Sequence, residues 1–183
     1  MINGKTLRIG LTVAVLALLA GIYAGTQRSK RFSQEALPIA EQGIGSLFAS
    51  TLIDARGKPH AFTQWKGKTL VVNFWATWCP PCREEMPAFS RLQTKFASNG
   101  VQFVGIALDS ADSVLDFSIQ NPATYPLLIG GAEGTELARQ LGNAMLALPY
   151  TLIITPAGTL RLARMGGLSE SELDAMLRES TAH

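Results

Sequence analysis

The sequence predicts an α/β fold in which helices flank a central mixed sheet. Three observations carry that prediction. Thr69 to Trp75 is a near-continuous apolar run, as expected of a strand covered on both faces. It is followed by Met86, Phe89, Leu92 and Phe96 at helical spacing, and then by a second apolar run, Val101 to Leu108. Strand, helix and strand in that order imply a right-handed crossover between parallel strands. Further on, Pro149 stands directly before another apolar run, Tyr150 to Thr155, where a regular ladder has no place for it. A cis peptide bond at a tight turn explains such a proline.

At 183 residues the chain has room for one domain of ordinary size and an appendage. The appendage is at the front. Ile9 to Ala24 carries no charge and makes about 24 Å of helix, slightly short of a bilayer core, with Arg8 placed to snorkel. Lys5 and Arg8 also form the basic start of a signal peptide, but Ile22 and Tyr23 spoil the cleavage site. A retained transmembrane anchor over residues 1–31 is therefore favoured over a cleaved signal. Basic residues flank both sides, so orientation is not decided by charge. The formal charge of +2 divides unevenly: residues 1–31 carry five basic and no acidic side chains, and the remainder is at −3. No basic face is left for nucleic acid.

Residues 32–45 read as a linker, with Pro38 and two glycines and no sustained periodicity. The folded domain is expected over residues 46–183. It begins with a hairpin from Leu47 to Phe62 that turns at Asp54-Ala55-Arg56-Gly57, and His60 is expected on the strand surface. Trp65 to Lys68 is a turn. The helix after the first central strand is expected from Cys82 to about Ser98, kinked by Pro87 and ended by Asn99-Gly100 in a left-handed cap. Asp109-Ser110 opens a helix to about Gln120. Leu127 to Ile129 is a short strand, and Thr135 to Leu141 a helix stopped by Gly142. Asp109, Asp112 and Asp116 are read as a cap and a solvated face. Pro156 to Thr159 turns the chain into an antiparallel strand, Leu160 to Met165. Ser169 and Glu172 form a capping box for a last helix that buries Leu173, Met176 and Leu177.

The only two cysteines, Cys79 and Cys82, lie where the first central strand gives way to its helix. At a helix N-terminus, unpaired N–H groups and the helix dipole stabilise a thiolate, the reactive form of cysteine. Cys79 can face solvent there, with Cys82 beneath it on the same face. Pro81 suits the first turn, and Pro80 with it stiffens the loop. Zinc would need four ligands, and neither His60 nor His183 has ligand spacing with the pair. Haem attachment would need a histidine where Arg83 stands. An inert structural disulfide stays open, although so short a loop offers little entropic stabilisation.

The run Asn73-Phe74-Trp75-Ala76-Thr77-Trp78-Cys79-Pro80-Pro81-Cys82-Arg83, continued by Glu85 and Pro87, resembles the thioredoxin superfamily and within it the TlpA/ResA-type membrane-anchored thiol-disulfide oxidoreductases. The resemblance covers roughly residues 48 to 177. It implies a thioredoxin-like fold with an N-terminal hairpin and a central helix-strand insert. It also implies a nucleophile, Cys79, a resolving cysteine, Cys82, and a modulating carboxylate, Glu85. Trp78, Leu148 and Pro149 are implied as the surface that meets the substrate, and Pro149 as the cis-proline packed beside the cysteines. Asn73 stands where thioredoxins proper have a proton-accepting Asp, which leaves the proton to Glu85 or water. No bound cofactor is implied beyond the redox-active disulfide, because the dithiol carries the two electrons. The implied partners are client proteins, possessing disulfides or thiols and including apocytochrome c, and a membrane electron donor of the DsbD or CcdA type. The implied place is the bacterial inner membrane, facing the periplasm. A disulfide oxidase or isomerase using the same residues, and a binding module with an idle disulfide, remain as alternatives. A peroxidase is disfavoured, because Thr77 is two residues before Cys79 rather than three.

Overall fold

The computed structural model of the chain describes residues 43–181. The predicted anchor, residues 1–31, and most of the predicted linker lie outside them. Among the described residues no helix is long and apolar enough to cross a membrane. The fold is one seven-stranded mixed sheet with helices on both faces.

A helix, α1, occupies residues 43–49, where the sequence had suggested the end of the linker and the start of the hairpin. The hairpin itself is β1 (Thr51–Asp54) and β2 (Pro59–Ala61). Phe62 leaves it early and opens a 3-10 turn through Trp65 whose two aromatic ends are buried, so Trp65 is core and not simply a turn residue. The central strand β3 (Thr69–Trp75) leads into α2 (Pro80–Phe96), which starts two residues ahead of the expected Cys82. Gly100, at φ 76°, supplies the left-handed end. Then come β4 (Val101–Ala107), α3 (Ala111–Gln120), β5 (Leu127–Ile129) and α4 (Gly131–Gln140). The chain closes with β6 (Tyr150–Ile154), β7 (Leu160–Met165) and α5 (Glu170–Thr181). The strand order is β2-β1-β5-β4-β3-β6-β7, parallel across β3, β4 and β5 and antiparallel elsewhere.

Alternation along β3 explains the two-sided core. Leu70, Val72 and Phe74 face a cluster that includes Leu47, Leu52, Phe62, Leu137, Leu141 and Tyr150. Val71 faces the other way, toward Phe89, Leu92 and Phe96 of α2 and Leu173 and Leu177 of α5. Asn73 and Trp75 share that second face, because side chains two apart on a strand point the same way. The apolar spacing read from α2 thus does what it implied: Met86, Phe89, Leu92 and Phe96 are all buried.

Two glycines of α1 face opposite surroundings. A Cβ on Gly43 would fall 2.6 Å from the carbonyl carbon and oxygen of Gln140, at the end of α4, whereas one on Gly45 would meet nothing within 4 Å. Backbone cannot retreat as a flexible side chain does. Gly43→Ala is therefore expected to destabilise the protein by about 1–3 kcal/mol. Gly45→Ala should stabilise it by about 0.5–1 kcal/mol through helix propensity. Urea unfolding of the two full-length variants checks both signs.

Candidate active site

β3 stops at Trp75, and the next four residues are held by local hydrogen bonds and by bonds reaching across to Asp109. Cys79 N–H donates to Ala76 O at 3.2 Å, and Arg83 N–H donates to Cys79 O at 3.2 Å. Thr77 donates through both its N–H (3.0 Å) and its hydroxyl (2.5 Å) to Asp109 Oδ2. Burial works to raise the Asp109 carboxyl, but the bonds from Thr77 and Ser110 outweigh it and hold it below its usual value. The cap of α3 is Ser110, whose hydroxyl accepts from Ser113 N–H. Asp109 is thus neither cap nor solvated face, as the sequence reading had it, but a tether on the cysteine loop. Asp112 and Asp116 do lie on the exposed side of α3.

Cys79 is the N-cap of α2, at φ −95° and ψ 103°, and Pro80 and Pro81 fill the first two helical positions, where no N–H is missed. Cys79 and Cys82 are joined in a disulfide with Cα atoms 5.3 Å apart. Cys82 is fully buried, as expected beneath its partner. Cys79 is only 4% exposed, less open than the sequence implied. The reason is packing: both sulfurs belong to a cluster with Trp75, Ala76, Met86, Ala107 and Val114, and Leu148 lies against it. The indole of the neighbouring Trp78 is 66% exposed, an apolar surface beside the disulfide. Glu84 points outward, and His60 pairs with Asp54 on the outermost strand pair of the sheet.

One helical turn below Cys82, Glu85 is buried at 5% exposure. Its Oε1 accepts from Asn73 Nδ2 at 2.9 Å and its Oε2 from Leu168 N–H at 3.1 Å. Asn73 Nδ2 also donates to Thr151 Oγ1 at 3.0 Å, across the β3–β6 pairing where those two residues stand opposite each other. Burial pushes the Glu85 carboxyl from 4.5 up to about 7, against the downward pull of the Leu168 and Asn73 hydrogen bonds. Asn73 therefore holds the carboxylate, a role the sequence did not assign it. Thr151 and Leu168 were missed altogether. A hydroxyl in the apolar run Tyr-Thr-Leu-Ile-Ile was the one available signal.

The Leu148–Pro149 peptide bond is cis, as the sequence predicted. Its loop is braced by Asn143, fully buried, whose side chain donates to Ala147 O (2.8 Å) and accepts from Ala147 N–H (2.9 Å). Pro149 O accepts from Gly166 N–H at 2.8 Å, so the loop is fixed on both sides. Among the described residues no group of His, Cys, Asp or Glu could hold a metal ion.

With this geometry in place, comparison with known proteins gives a consistent answer. The AhpC/TSA family pattern matches residues 46–163. The chain belongs to the AhpC/TSA family. Within it the chain is 28% identical over 179 residues to the thiol-disulfide oxidoreductase ResA of Bacillus cereus, covering 97% of this chain and 99% of that one. It is 28% identical over 167 residues to the thioredoxin-like protein YneN of Bacillus subtilis, covering 89% and 93%. Among solved structures, a thioredoxin-related protein of Neisseria meningitidis serogroup B is 32% identical with a TM-score of 0.64, covering 72% of this chain and 99% of that one. A thiol:disulfide interchange protein of Chlorobium tepidum is 30% identical with a TM-score of 0.63, covering 72% and 92%. The TlpA/ResA resemblance is borne out, and this AhpC/TSA protein is a thiol-disulfide oxidoreductase.

The raised Glu85 carboxyl has a consequence for stability. Below pH 4.5 the group is neutral in both folded and unfolded chains. Between 4.5 and about 7 the unfolded chain releases the proton while the folded one keeps it, so stability falls as pH rises. Above that range the cost is constant at about 3 kcal/mol. Unfolding free energies of the oxidised protein should thus drop from pH 5 to pH 8, and Glu85→Gln should flatten that slope. An unchanged slope in the variant would place its source elsewhere.

Proposed function

We propose that this oxidoreductase works as a reductase of protein disulfides. Cys79 is the attacking thiolate, favoured by its place at the N-terminus of α2. It attacks one sulfur of the client disulfide and releases the other as a thiolate. Cys82 then gives its proton to the Glu85 carboxylate and attacks Cys79 Sγ. That attack breaks the bond between Cys79 and the client and forms the Cys79–Cys82 disulfide; the departing client sulfur takes a proton from Glu85, and the sulfur released first takes one from water. Trp78, Leu148 and Pro149 make the surface on which the client sulfur is presented. The oxidised enzyme needs two electrons to start again, from a membrane donor of the DsbD or CcdA type. Apocytochrome c is the client class that the ResA-like resemblance favours.

The observation that carries the direction of the reaction is the buried Glu85. Strong disulfide oxidants stabilise their reduced form. Here a carboxylate lies a helical turn from the inner cysteine, and the two residues between the cysteines are prolines, which bring no charge. A negative charge in a dry site disfavours a thiolate and so the reduced state. A carboxyl near 7 is also matched to accepting and returning a proton at neutral pH.

For location, the apolar segment Ile9 to Ala24 supports an anchor in the bacterial inner membrane over residues 1–31, with a linker over 32–45 and the domain of residues 46–183 in the periplasm. The absence of any cysteine outside the active pair suits an oxidising compartment.

Equilibration of the full-length protein with glutathione or dithiothreitol buffers, followed by tryptophan fluorescence, tests the direction. A couple well below about −200 mV is expected, and one near −120 mV would make the protein a disulfide donor instead.

A further inference from the structure

A groove of about 270 Å³ opens between α2 and the end of α3, its nearest wall within one helical turn of Cys82 along α2. Its walls include Met86, Phe117, Pro122 and Ala123. Met86 belongs to the cluster that packs around Cys79 and Cys82, and Phe117 lies against it, so the groove backs onto the packing of the cysteine pair. Arg83 stands at its edge, immediately after Cys82. Its guanidinium lies over the Phe117 ring, 5.8 Å from the centroid. Among the described residues no carboxylate lies within ion-pair distance of it. The other cations of α2 are placed differently: Arg91 and Lys95 are engaged by Glu170 and Asp174 of α5.

The groove thus combines a cation without a carboxylate partner, apolar side chains, and the polar side chains of Ser90 and Asn121. An extended polypeptide meets all three at once: an acidic side chain for the cation, an apolar side chain for the walls, and backbone groups for the polar pair.

We infer that this groove takes the segment of a client protein flanking its reactive cysteine, and that Arg83 selects clients with an acidic side chain there. The inference rests on the reading that the partner of Cys79 is a protein. Arg83 is a specificity residue in this account, and it takes no part in the exchange of sulfurs.

The test uses the reduced full-length protein and two short peptides, each closed by an identical disulfide. They carry Asp or Lys beside the cysteine and an apolar residue next to it. A small neutral disulfide, 2-hydroxyethyl disulfide, is the reference. The wild-type protein should reduce the Asp peptide about three- to tenfold faster in kcat/KM than the Lys peptide, and the ratio should shrink in high salt. Arg83→Glu should invert that ratio. Any uniform effect of the substitution on the cysteines cancels in the ratio. If both peptides outrun the reference equally, or if Arg83→Glu leaves the ratio unchanged, the groove has no such role. If neither peptide outruns the reference, the protein-client reading fails and the groove assignment falls with it.

Discussion

The site depends on one buried carboxylate. Glu85 joins three parts of the fold: β3 and β6 through Asn73 and Thr151, α2 through its own backbone, and the segment before α5 through Leu168 N–H. Two hydrogen bonds do not restore what the carboxylate loses on leaving water, and its raised pKa measures the deficit. The fold tolerates this because the same face of the sheet buries Val71, Phe89, Leu92, Phe103, Leu173 and Leu177. Each such side chain contributes roughly 1.5–3 kcal/mol of apolar burial. A carboxyl only partly compensated at that point is tolerated over such a core.

The same comparison ranks what holds α5 on α2. Arg91 with Glu170 and Lys95 with Asp174 bridge the two helices, but they are exposed and screened. Leu173 and Leu177 are fully buried against α2 and the sheet. Burial sets the docking, and the ion pairs tune it. The docking in turn fixes Leu168 and hence the second hydrogen bond to Glu85. The cysteine loop has its own fixture in Asp109, which holds Thr77 from the start of α3. The cysteine pair is therefore positioned by two contacts distant in sequence, one beneath it and one beside it.

Features written in local sequence were legible. The apolar run of β3, the 3- and 4-residue spacing of α2, the Gly100 cap, the Ser169–Glu172 box and the proline before β6 each carry their signal within a few residues. All are present in the structure. Features that depend on contacts far along the chain were not legible. Glu85 meets Asn73 and Leu168 across 12 and 83 residues, and Thr77 meets Asp109 across 32. Helix α1 was missed because Gly43 and Gly45 are poor helix formers. Gly43 is there because only a glycine lets α1 approach the backbone of α4. The degree of burial of Cys79 also escaped the sequence, since it comes from Trp75, Ala107 and Val114, on three different elements.

The central claim is that Glu85 is a proton-exchanging group tied to the dithiol, and its own titration addresses it most directly. The full-length protein, labelled with carbon-13 at glutamate side-chain carboxyls, would be titrated by NMR in oxidised and reduced forms, with Glu85→Gln assigning the resonance. The account predicts a midpoint near 7 in the oxidised protein, and a further rise on reduction as a nearby thiolate disfavours a second negative charge. A midpoint near 4.5 in both forms would contradict it, leaving Glu85 a structural carboxylate with no part in moving the proton.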